Sequence, residues 1–217
     1  MSNYTLTLDN VEKIYGRRLV FKEVSAQFNC GSVYGIAGRN GSGKSTLSKI
    51  IAGIISPTSG SITHSLNGDK IIPDKLHNHL GFVSPYLVLY DEFSSEENLQ
   101  HFAKIRGIHY DKERIDFLLN ELGIYERRRD LLKEYSSGMK QRMKYVFALQ
   151  HSPQLILLDE PTSNLDVSGK EKVFEIILKE AVENCVVIAS NEEVDLALCE
   201  HIIKIEDYKT KGDLKLV

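Results

Sequence analysis

Gly38-Arg39-Asn40-Gly41-Ser42-Gly43-Lys44-Ser45-Thr46 fits the pattern G-x-x-x-x-G-K-[ST], and few stretches of this length constrain a fold so tightly. The glycines let the backbone turn until successive N–H groups face inward on phosphate oxygens. Lys44 then reaches the β- and γ-phosphates, and the Ser45 hydroxyl sits on Mg²⁺. The loop needs a buried strand to deliver it and a helix to follow it, because the helix N-terminus adds a field favourable to anions. Val33-Tyr34-Gly35-Ile36-Ala37 supplies the apolar run, and Leu47-Ser48-Lys49-Ile50-Ile51-Ala52 supplies the helix. Gly38, Arg39, Asn40, Gly41, Ser42, Gly43, Lys44, Ser45 and Thr46 are therefore the expected contacts of a nucleoside triphosphate.

The 217 residues suffice for one large α/β domain, or two small lobes on a shared core. Tyr4, Leu6 and Leu8 alternate with Thr5 and Thr7, and residues 20–28 alternate in the same way, as in antiparallel strands with one covered face. Pro57-Thr58-Ser59-Gly60 reads as a turn into a short strand at 61–63, followed by a hairpin at Asn67-Gly68. From about 96 to 134 the spacing turns helical, with Leu99, Phe102, Ile115, Leu118, Leu119 and Leu122 on the apolar side and Gly107 and Gly123 as stops. Continuous apolar runs return at 155–159, 186–190 and 201–205, the pattern of a parallel sheet covered on both faces. The expected architecture is an α/β P-loop NTPase core, a mostly parallel sheet with an antiparallel β subdomain, plus an inserted helical subdomain. The core spans about 1–85 and 153–217 and the helical subdomain about 86–152, within a single domain of residues 1–217.

A net charge of −3 gives no electrostatic case for nucleic acid, and Glu126-Arg127-Arg128-Arg129 reads as a solvated face. Cys30, Cys185 and Cys199 lack metal-ligand spacing and read as reduced, half-buried thiols of an intracellular protein. The start Met1-Ser2-Asn3-Tyr4-Thr5 does not look like a signal peptide, and no window reaches the ~18 apolar residues of a membrane span. A cytoplasmic chain is expected, with any membrane role reached through a separate partner. His77 and His79 read as surface residues, and His151 as a helix C-terminal residue favourable to the dipole.

Leu155-Ile156-Leu157-Leu158-Asp159-Glu160-Pro161-Thr162 is an apolar strand ending in two acids. At the carboxyl end of a strand beside a phosphate loop, Asp159 suits the Mg²⁺ shell. Glu160 is placed to orient or deprotonate a water, as the catalytic residue.

Tyr135-Ser136-Ser137-Gly138-Met139-Lys140-Gln141-Arg142 precedes that strand by one short helix. In order and spacing with the two preceding motifs, it resembles the L-S-G-G-Q signature of the ATP-binding cassette (ABC) ATPases. The resemblance covers essentially the whole chain. Ser163-Asn164-Leu165-Asp166 matches that family's D-loop, which places Asp166 at a dimer interface. Tyr15, 23 residues ahead of Gly38, matches the aromatic that stacks on adenine. The resemblance implies ATP and Mg²⁺ as cofactors, with two cassettes meeting head to tail. Ser136, Ser137, Gly138 and Met139 of one chain would then face the γ-phosphate bound by the other. It further implies a membrane-spanning permease as partner, a second ABC subunit forming a homodimer, no nucleic-acid partner, and a peripheral position on the inner face of the cell membrane. Among single-cassette members, the short length and S-S-G-M-K-Q-R look similar to the haem-exporter ATPase of cytochrome c maturation. A soluble, non-transport cassette is the competing class.

Four positions, in three motifs, depart from the family pattern. Pro85 follows Gly81-Phe82-Val83-Ser84 where a Mg²⁺-contacting glutamine is usual; proline offers no side-chain oxygen and fixes φ. Asn191 stands where a switch histidine is usual, and an amide hydrogen-bonds a γ-phosphate without taking up a proton. Ser137 and Met139 replace glycine and glutamine. The chain therefore either hydrolyses ATP more slowly through Glu160, the favoured expectation, or mainly binds it.

Overall fold

The computed structural model describes residues 3–209. β1 (Tyr4–Tyr15), β2 (Arg18–Asn29), β4 (Ser59–Leu66) and β5 (Asp69–Lys70) make an antiparallel sheet in the order β2-β1-β4-β5. β3 (Ser32–Ala37), β6 (Leu80–Val83), β7 (Leu155–Asp159), β8 (Cys185–Ser190) and β9 (His201–Lys204) make a second sheet in the order β6-β7-β8-β3-β9. Every pairing in this second sheet is parallel. The helices are α1 (Lys44–Ile51), α2 (Ser95–Arg106), α3 (Lys112–Glu121), α4 (Ser137–Leu149), α5 (Val167–Ala181) and the single turn α6 (Glu193–Leu196).

Successive residues of a strand point to opposite faces, and β7 and β8 bury both. Leu155, Leu157 and Val187 pack with Leu47, Ile50 and Ile51 of α1 and with Leu6, Phe21 and Phe28 of the antiparallel sheet. Ile156, Leu158, Val186 and Ile188 face the other way, onto Val146 and Leu149 of α4 and Val173 and Ile177 of α5. α1 is thus held between the two sheets, and the loop preceding it is fixed at both ends. The alternation predicted from Tyr4, Leu6 and Leu8 is real, since all three are buried. The Asn67-Gly68 hairpin is also present, with φ of 54° and 89° between Leu66 and its partner Asp69.

The helical segment folds onto the same core. Ser94 caps α2 through a reciprocal capping box with Glu97. Leu99, Ile115, Leu118, Leu119 and Leu122 join the cluster built by α4 and α5. β6 is a strand that the periodicity does not announce. It is four residues long and contains Gly81, where an added Cβ would stand 2.5 Å from the Ala148 carbonyl oxygen; the glycine is required by close packing against the end of α4.

The expected dipole role of His151 is not met. Its Nε2 lies 3.1 Å from the Leu80 carbonyl oxygen, and burial pushes its pKa down to about 4, so the ring is neutral near pH 7. His64 is similarly placed: Nδ1 is 2.6 Å from the Tyr4 hydroxyl, and burial brings its pKa to about 4. Unfolding frees both rings to protonate near their ordinary pKa of 6.5. Between pH 6.5 and 4 the unfolded chain therefore binds more protons, and stability falls as the pH falls. A lower urea midpoint at pH 5 than at pH 7.5 is expected, with each ring contributing on the order of 2 kcal/mol to the difference. Equal midpoints would show that neither ring is held neutral.

Candidate nucleotide-binding site

β3 ends at Ala37 and α1 begins at Lys44, so the intervening loop must reverse within a few residues. Gly43, the N-cap of α1, has φ of 119°, a region that side chains disfavour. An added Cβ there would lie 2.6 Å from Val20 Cγ1, and one on Gly38 would lie 2.5 Å from Ser42 Oγ. The Ser42 N–H donates to the Arg39 carbonyl at 3.0 Å, and the Arg39 N–H donates to Glu206 Oε1 at 2.7 Å. Lys44 is only 4% exposed. Its ammonium donates to the carbonyls of Gly38 at 2.7 Å and Arg39 at 3.3 Å, so a buried cation is held by dipoles without a carboxylate. Such a group favours an anion at the loop mouth.

At the next residue of α1 the chemistry changes from cationic to oxygen-rich. Ser45 Oγ donates to Asp159 Oδ1 at 3.1 Å. Asp159 is 1% exposed, and its Oδ2 is buried with no hydrogen-bond partner. Burial pushes the Asp159 carboxyl above its usual range, while the Ser45 hydrogen bond pulls it back. An orphaned carboxylate oxygen beside a hydroxyl suits a hard cation that takes its other ligands from phosphate and water. Among the described residues no cluster of three or more His, Cys, Asp or Glu is placed to hold a metal by itself.

Glu160 follows with φ of 52°, uncommon for a side-chain-bearing residue. Its N–H donates to the Ala189 carbonyl at 2.9 Å, which fixes the turn at the end of β7. Glu160 lines a cleft of about 480 Å³ together with Tyr15, Arg18, Val20, Asn40, Gly41, Gly43, Lys44, Ser45, Thr46 and Tyr86. Tyr15 is half exposed, with the Lys13 ammonium 4.9 Å from its ring centre; the ring is free to stack on a base. Gly38, Arg39 and Asn191 line a neighbouring hollow. Asn191 also faces a second cavity of about 360 Å³ that contains Asn40, Glu160, Thr162 and Ser190.

Ser136, Ser137, Gly138 and Met139 lie outside the cleft around Lys44. Ser136 is the N-cap of α4, and its Oγ accepts the Met139 N–H at 3.2 Å. Ser136 and Ser137 are exposed. Asp166 caps α5, accepting the Gly169 N–H at 2.8 Å. Pro85 is exposed, and its carbonyl accepts the Lys144 ammonium at 3.2 Å, as does the Ser84 carbonyl.

Two supports of the site were not legible as motifs. Gln141 Nε2 and the Tyr145 hydroxyl both donate to the Pro161 carbonyl, at 3.2 and 2.8 Å, tying α4 to the residue after Glu160. Asp195, 1% exposed, accepts from Thr162 Oγ1 at 2.8 Å and from Ser190 Oγ at 2.6 Å. It joins the loop after Glu160 to the end of β8. An acid in the first turn of a short helix ordinarily reads as solvated, and only the fold reveals its partners.

Residues 21–163 match the family described as ABC transporter. The chain is 33% identical over 221 residues to the uncharacterised ABC transporter ATP-binding protein YdbJ of Bacillus subtilis, spanning all of this chain and 71% of that protein. It is 32% identical to the lantibiotic transport ATP-binding protein SrtF of Streptococcus pyogenes, over 97% of this chain and 89% of that one. Among solved structures, a putative ABC transporter ATP-binding protein of Pyrococcus furiosus superposes with a TM-score of 0.81 at 25% identity, covering 95% of this chain and all of that chain. A dimeric bacterial ABC transporter cassette superposes with a TM-score of 0.78 at 25% identity, covering 92% and 93%.

Proposed function

The chain belongs to the ABC transporter family of ATP-binding proteins, and from that membership we propose that it is the ATP-hydrolysing subunit driving a separate membrane-spanning permease. The observation that carries the reading is the Ser45–Asp159 pair, with Asp159 Oδ2 left unpartnered beside the Lys44 loop. Tyr15 stacks on the adenine. Lys44 and the N–H groups of residues 38–46 hold the phosphates. Ser45 and Asp159 would hold Mg²⁺, which when bound would supply charge neutralisation to the phosphates. Glu160 orients the attacking water and accepts its proton. Asn191 hydrogen-bonds the γ-phosphate as an amide.

The working unit is a head-to-tail pair of these chains. Ser136, Ser137, Gly138 and Met139 of one chain face the nucleotide of the other, with helix polarity behind them, and Asp166 lies at the interface. No helix among the described residues is long and apolar enough to cross a membrane. In this reading the chain sits on the inner membrane face by binding its permease. Pro85 and Asn191 support a slower turnover than a cassette carrying glutamine and histidine would have.

Phosphate release by the wild-type chain tests the reading, in Mg²⁺ and in EDTA, alongside sedimentation with membranes. Release that needs Mg²⁺, and pelleting only when the adjacent membrane protein is co-expressed, are expected. A chain that stays out of the membrane fraction in that co-expression would instead belong to a soluble, non-transport cassette.

A further inference from the structure

We propose that Tyr86 is a nucleotide-sensing residue, whose phenol contacts the triphosphate end of the bound nucleotide and ties the cleft to α4. This rests on the proposed ATP site. Tyr86 lines the same cleft as Lys44, Ser45 and Glu160, although its side chain is 71% exposed. What singles it out is its place in the cleft beside the phosphate loop and the Ser45–Asp159 pair, not its exposure.

Its position is set from two sides. The Lys49 ammonium lies 4.7 Å from the ring centre, and Lys49 is four residues after Ser45 on α1, hence on the same helix face. The ring therefore stands over the face of α1 that carries the Ser45–Asp159 pair. On the other side, Lys144 of α4 grips the carbonyls of Ser84 and Pro85, each at 3.2 Å. Two lysines, one from α1 and one from α4, hold consecutive residues of a single loop. Pro85 itself offers no side-chain polar atom there, whereas the phenol of Tyr86 donates and accepts. A terminal phosphate, or water bound to it, is the polar group the cleft brings nearest to this loop. The phenol thus distinguishes a triphosphate from a diphosphate, and Lys144 relays the loop's position to α4.

The hydroxyl is isolated by Tyr86→Phe, which keeps the ring and its contact with Lys49. Equilibrium binding of MgATP and MgADP is expected to show MgATP weakened by roughly threefold to tenfold, with MgADP unchanged. The chain contains no tryptophan, so Tyr86→Trp gives a single emission reporter, expected to shift with MgATP and not with MgADP. Equal effects of Tyr86→Phe on both nucleotides, or none, would overturn the proposal while leaving the ATP site standing. A wild-type chain that binds no MgATP overturns both.

Discussion

Glu160→Gln is expected to lower steady-state phosphate release by roughly two to three orders of magnitude, while MgATP affinity stays within about twofold. Glutamine has nearly the shape of glutamate and keeps its hydrogen-bonding reach, but it cannot take up a proton at neutral pH. The left-handed turn at Glu160, with its N–H fixed on the Ala189 carbonyl, holds the side chain against the cleft independently of its charge. The substitution therefore separates proton acceptance from placement. The same variant decides between hydrolysis and a chain that mainly binds ATP. Equal rates for the two proteins would mean that Glu160 accepts no proton, and the catalytic assignment would be withdrawn. With turnover removed, the MgATP-bound head-to-tail pair should accumulate and be visible by light scattering.

The second large effect is expected from Gly43→Ala. A single methyl group meets two obstacles, a φ of 119° and the Val20 side chain at 2.6 Å. Backbone strain of this kind costs ~1–3 kcal/mol, and overpacking adds a similar amount. The fold can relieve both only by opening the loop, which turns its N–H groups away from the phosphates. ATP affinity should fall by about 100-fold or more, with a lowered melting temperature. Gly41→Ala is the control: its φ is also positive, at 75°, but nothing lies within 4 Å of the added Cβ, so it retains strain without the collision. If Gly43→Ala bound MgATP as well as the wild type, the loop would not be shaped by close packing on β2.

The contrast between local and distant chemistry explains what the sequence disclosed. The phosphate loop is contiguous, so its spacing, its flanking strand and its helix could all be read together. β7 announced itself because both of its faces are apolar. β6 did not, because four residues with a glycine carry too little periodicity. The bonds from Gln141 and Tyr145 to Pro161 span 20 and 16 residues, and that from Thr162 to Asp195 spans 33; no local pattern encodes such pairings. His151 follows the same rule: its place after α4 reads as a C-terminal residue favourable to the dipole, whereas the return of β6 covers it. Tyr86 belongs to no motif of its own, and only the fold brings it into the cleft with Lys44 and Glu160.

The Pro161 carbonyl, which takes both of its donors from α4, also determines how a force would travel. In the proposed head-to-tail pair, α4 starts at the residues that would face a partner's nucleotide, and Pro161 follows Glu160, which lines the chain's own cleft. With both lone pairs of that oxygen engaged, the helix and the acidic turn move as one bar. In the proposed head-to-tail pair that bar would place the two nucleotides mechanically in series, one at each end of it.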